Sequence, residues 1–88
     1  MADKVLNQAR REFEKALIDL RDIGHATNQD PYTNRRYKEI ITSSNGSQEE
    51  LRATLAQLKR DFDYLVTATA NTAAVRRRDS LATLLETL

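Results

Sequence analysis

Ser47–Ala70 reads SQEELRATLAQLKRDFDYLVTATA, and this stretch decides the fold. Leu51, Leu55, Leu58, Phe62 and Leu65 recur at steps of four, three, four and three. At helical pitch, that spacing lines up one buried stripe. Ser47 and Glu50 stand in the S-x-x-E spacing of a capping box, which fixes the start of the helix. Glu49 and Glu50 add negative charge at the positive end of the helix dipole. Beyond Leu65 the chain turns to small residues, Thr67 to Ala74. They predict a break between Ala70 and Ala74 and allow another helix to approach closely. Leu81–Leu88 is expected to pack there.

Outward from this helix, the N-terminal segment carries a matching stripe. Leu6, Ala9, Phe13, Ala16, Leu20 and Ile23 alternate steps of three and four, with Leu17 widening the band. Charged residues from Arg10 to Arg21 supply a solvated face. The spacing predicts a helix over about 3–23, with Gly24 as its left-handed terminal residue. His25 to Pro31 is a connection, and Asp30-Pro31 reads as a cap followed by proline at the first helical position. A short helix from Pro31 to about Thr42 would put Tyr37, Ile40 and Ile41 on one side. Ser43 to Ser47, with Asn45-Gly46, reads as a turn. A last helix, about 76–88, carries Leu81, Leu84, Leu85 and Leu88 on one face.

The fold class is therefore all-α: a small antiparallel bundle of three main helices (about 3–23, 47–70 and 76–88), with a short helix in the 31–42 loop. Composition agrees. Eighty-eight residues make one domain, 1–88, with a thin core. Two glycines and one proline argue against a sheet-and-turn protein, and no cysteine is present to add a disulfide or thiolate site. A reducing, cytoplasmic setting fits that absence. The formal charge of +1 draws the chain neither to nucleic acid nor to anionic lipid. The N-terminus has no apolar run of the secretory kind. Nothing ends the last helix at Leu88, which reads as a domain excised from a longer protein.

Catalytic chemistry finds no constellation. His25 is the only histidine, and at a helix end it complements the dipole. Asp61 and Asp63 are two apart and do not share a helix face. The serines have no base nearby in sequence, and no glycine-rich phosphate loop exists. The chain reads as a non-enzyme with no cofactor, no metal and no small-molecule substrate. The remaining candidates are surfaces. Leu6, Phe13, Leu20, Leu51, Leu55, Leu58, Phe62, Leu65, Leu81, Leu84 and Leu85 form the core or interaction stripe. Arg76, Arg77 and Arg78 are the candidate anion or partner contact. They suit a phosphate or an anionic headgroup, or simply a solvated helix start. Arginine at a helix N-terminus opposes the dipole, which points to a role or to a helix that begins earlier. Arg35, Arg36 and Lys38, interleaved with Tyr32 and Tyr37, form a smaller basic cluster.

The second half resembles the N-terminal helical (Habc-like) domain of SNARE proteins of the syntaxin-8 and syntaxin-6 type. The resemblance rests on Glu50-Leu51, Leu55, Leu58, Asp61-Phe62 and Leu65, then Arg76-Arg77-Arg78, Leu81 and Leu84-Leu85. It implies an antiparallel three-helix bundle that regulates a SNARE motif and recruits tethering factors. It places the domain on the cytosolic face of endosomal or Golgi membranes, touching the membrane only indirectly. The arginine run would then have a structural role at the start of the third helix. The family's acidic D-P-[FW] near the start has no counterpart, since the one Asp-Pro, Asp30-Pro31, lies in the first loop. The rival reading is a small subunit or chaperone of an obligate helical assembly, kinetochore-type or secretion-type.

Overall fold

A computed structural model describes residues 2–30, 32–43 and 46–88, with only the backbone described at Ala2, Asp3 and Ser43. Four helices account for most of them: α1 (Ala2–Thr27), α2 (Asn34–Ser43), α3 (Gln48–Thr69) and α4 (Thr72–Thr87). No strand occurs among the described residues. The all-α class holds, but the count is four rather than three.

α1 runs one turn further than Gly24. Gly24 is buried inside the helix, and Asn28 takes the left-handed position with φ 58. The Gln29 N–H donates to the Gly24 carbonyl at 2.8 Å, and the Asn28 N–H to the His25 carbonyl at 3.4 Å. Together these form a Schellman ending with asparagine in place of glycine. Twenty-six residues at helical rise span about 39 Å, and the longest dimension of the molecule is 39 Å. α1 alone therefore sets its length.

α2 begins at Asn34, three residues beyond the expected start. Thr33 caps it: its hydroxyl accepts the Arg36 N–H at 3.2 Å and its carbonyl the Tyr37 N–H at 3.0 Å. A threonine that offers two acceptors is a better cap than the Asp30-Pro31 pair, whose proline lies outside the described residues. Ser43 belongs to α2 rather than to the following turn, and Ser44 and Asn45 lie outside the described residues.

α3 begins as its capping sequence dictates. Ser47 is extended (φ −66, ψ 168), and its hydroxyl accepts the Glu50 N–H at 3.2 Å. Leu51, Leu55, Leu58, Phe62 and Leu65 are all buried. The helix stops at Ala70, which adopts the left-handed conformation and donates its N–H to the Val66 carbonyl at 2.9 Å. Asn71 then caps α4 by accepting the Ala74 N–H at 3.1 Å. α4 thus starts four residues before Arg76. The arginines sit in its second turn, where they no longer oppose the helix dipole.

Helix directions follow from which residues meet. Arg10 donates to the Gly46 carbonyl at 3.1 Å and Tyr64 to Gln29 at 3.2 Å, at separations of 36 and 35. A constant separation means that α1 and α3 run parallel. Tyr32, just before α2, meets Asp61 late in α3, while Gly46, just after α2, meets Arg10 early in α1, so α2 descends against α3. Arg78 pairs with Asp63, and Gln48 reaches the Leu88 carbonyl at 3.4 Å, so α4 also descends against α3. The order is up, down, up, down. Consecutive helices are antiparallel, but the two stripes read in the sequence lie on parallel helices. The cause is α2: as a full descending element it returns the chain to the bottom before α3 begins. The same register corrects the placement of Leu81–Leu88. These leucines pack toward the start of α3, not toward Thr67 and beyond.

The core is continuous. Ala9, Phe13, Ala16, Leu17, Leu20 and Ile23 of α1 meet the α3 stripe, with Tyr37 of α2 and Ala74 and Leu81 of α4. Leu6, Leu84, Leu85 and Leu88 pack at its edge and keep part of their surface. Ala74 is fully buried, and its small side chain fits where α3 and α4 converge at their turn.

Candidate functional site

The arginine run divides three ways once α4 is in place. Arg77 turns inward with a fifth of its side chain exposed. Its Nη2 lies 2.7 Å and its Nε 2.8 Å from Asp19 Oδ2, and its Nη1 lies 3.3 Å from Glu12. Glu12 and Asp19 are seven apart on one face of α1, so a single guanidinium spans both and ties α4 to α1. Arg78 turns the other way, 3.8 Å from Asp63 of α3 and 3.3 Å from its neighbour Asp79. Arg76 is exposed. The three side chains therefore do not converge on one anion, and Arg77 is already neutralised.

Below the Arg77 clamp lies an open groove of about 590 Å³ between the N-terminal half of α1 and the C-terminal half of α4. Val5, Leu84, Thr83 and Thr87 give it a largely apolar floor, and Gln8, Glu12, Asp79 and Ser80 stand at its polar margin. Val5 is 45% exposed, whereas most α1 residues of its size are in the core. Of the stripe residues, only Leu84 lines this groove. Phe13, Leu20, Leu51, Leu55, Leu58, Phe62, Leu65 and Leu81 are buried and offer no surface.

A second polar cluster fastens α2. Tyr32 donates to Asp61 Oδ2 at 2.6 Å, Tyr37 to Asp30 Oδ1 at 2.5 Å, and His25 Nδ1 lies 3.1 Å from Asp30 Oδ2. The two rings meet edge to face, 5.6 Å apart. Burial, then the hydrogen bond and charge of Asp61, push the Tyr32 hydroxyl from 10.0 up to about 12. Burial and Asp30 push Tyr37 up as well. Both phenols are donors held by carboxylates, so neither is an activated nucleophile at neutral pH. Arg36 contributes to the small cleft beside Tyr32, while Arg35 and Arg36 pair with Glu39 on the outer face of α2.

Among the described residues no group of three or more His, Asp or Glu is placed to hold a metal ion, and no helix is long and apolar enough to cross a membrane. Sequence reasoning missed the groove and the clamp. Their signal was present as Val5, Gln8, Glu12 and Asp19, a row on one face of α1 that reads as ordinary solvated surface until an arginine is found opposite it.

Comparison of the chain with models of known protein families, with curated proteins and with solved structures finds no match to any of them.

Proposed function

We propose that the chain is a non-enzymatic interaction module whose α1–α4 groove receives the apolar edge of a partner helix. The observation that carries this reading is the groove itself: Val5 and Leu84 form an apolar floor open to solvent, with acceptors on both margins. Amphipathic helices bind such grooves by laying down side chains at three- and four-residue steps. The buried stripe then serves to hold the groove's two walls in register.

The narrower reading is the N-terminal regulatory domain of a SNARE in vesicle fusion. It is supported by the leucine spacing of Glu50–Leu65 and by the arginine-then-leucine restart, in which Arg77 acts structurally near the start of the last helix. The parallel order of α1 and α3 differs from the three-helix layout that the resemblance implies, so this reading rests on the motifs rather than on the topology. A SNARE motif and tethering factors are the partners it names.

Two measurements test the proposal. Circular dichroism and sedimentation of the isolated chain should give a folded monomer. An unfolded or self-associating chain favours the subunit of an obligate assembly. Binding to purified SNARE-motif helices and tethering factors should then be lost with Val5→Glu and Thr83→Glu in a chain that still folds. Binding that is indifferent to both substitutions would place the contact elsewhere.

A further inference from the structure

We propose that Ser80 is a phosphoacceptor for an arginine-directed serine kinase, and that its phosphate switches the Arg77 clamp between α1 and α4. Arg77 and Arg78 stand three and two positions before Ser80, and the apolar Leu81 follows it. No other serine or threonine in the chain has arginine at both of those positions. Kinases of this class read the two cations with acidic pockets and the following residue with an apolar one. Ser80 is exposed, whereas Leu81 is buried. The chain must therefore open locally at α4 to be read, releasing the buried Leu81 and the edge leucines Leu84 and Leu85 from the core.

The consequence follows from where Ser80 sits. It lines the groove beside Glu12 and Asp79, and a second hollow beside Asp19, Arg76 and Arg77. Arg76 and Arg77 lie four and three residues before it, on the same side of the helix. In the transfer, the Ser80 hydroxyl oxygen attacks the γ-phosphorus of ATP. The new O–P bond forms as the bond to the bridging oxygen breaks, the hydroxyl proton passes to the kinase's base, and ADP leaves. The product carries a charge of about −1.5 to −2. This anion competes with Asp19 and Glu12 for Arg77 and repels both carboxylates. The clamp loosens and the walls of the groove part.

The test uses the full chain, an arginine-directed serine kinase and ATP, read by mass spectrometry and thermal unfolding. One phosphate on Ser80 is expected, with none on the Ser80→Ala chain, and the phosphorylated chain should melt lower by about 4 °C or more. In a Glu12→Gln, Asp19→Asn background, which removes the clamp's carboxylates and leaves both arginines for the kinase, the shift at full modification should be much smaller. No incorporation at Ser80 would overturn the proposal. So would a peptide spanning residues 73–85 that is phosphorylated while the folded chain is not. An unchanged melting point after full modification would overturn the switch.

Discussion

At the scale of single residues, two positions hold energy that can be measured. Ala70 ends α3 in the left-handed region at φ 53, where its Cβ is crowded and glycine is not. Ala70→Gly should stabilise the chain by about 1 kcal/mol, seen as a higher denaturant midpoint with an unchanged slope. Tyr32 gives a pH signature. Its folded ionisation lies near 12 against 10.0 for the free side chain, because burial and the Asp61 carboxylate disfavour the phenolate. The stabilisation is fully present below pH 10.0 and is lost as pH rises through 12. Titration of the folded chain by tyrosinate absorbance should therefore show late ionisation from about pH 12 upward, smaller by one tyrosine in Tyr32→Phe, where the raised Tyr37 remains.

At the scale of elements, the link between helices rests partly on Arg77. Its contacts are charge-assisted, but Glu12 and Asp19 are a third or more exposed, so solvent screens them. Arg77→Met should cost about 1 kcal/mol, lowering the melting point by about 4–8 °C. Elements also mark how far the sequence could be read. α3 was legible to the residue, because Ser47 and Glu50 announce its start and five apolar side chains declare its face. The break at Ala70–Asn71 was legible as a loss of apolar period. The end of α1 was not: Gly24 looked like a terminator, yet Asn28 fills that role, and only backbone hydrogen bonds distinguish the two. The start of α4 was hidden for a similar reason. Asn71 is a cap only if the alanines after it are helical, and their small size gave no stripe to say so. The clamp lay beyond sequence reading because Glu12 and Asp19 are 65 and 58 residues from their partner.

At the scale of the whole molecule, α3 is the element against which each of the others packs. A charge buried in its stripe has no escape. Leu58 is 3% exposed, and Leu58→Asp should cost several kcal/mol. A domain of this length has about 4–13 kcal/mol in total. Circular dichroism should show that variant largely unfolded. The topology itself is the larger claim, because the parallel course of α1 and α3 makes α2 a true fourth helix and places the groove between α1 and α4. The chain has no cysteine, so introduced thiols report without interference. The most direct measurement is cross-linking of cysteine pairs with a short bis-maleimide linker, which spans the gap that the two truncated side chains leave. Gln29→Cys with Tyr64→Cys should be bridged within one chain, since the tips of those side chains touch in the parallel arrangement. Gln29→Cys with Gln48→Cys should not. Cross-linking of the second pair in place of the first would mean that α1 and α3 run antiparallel, and would contradict the fold described.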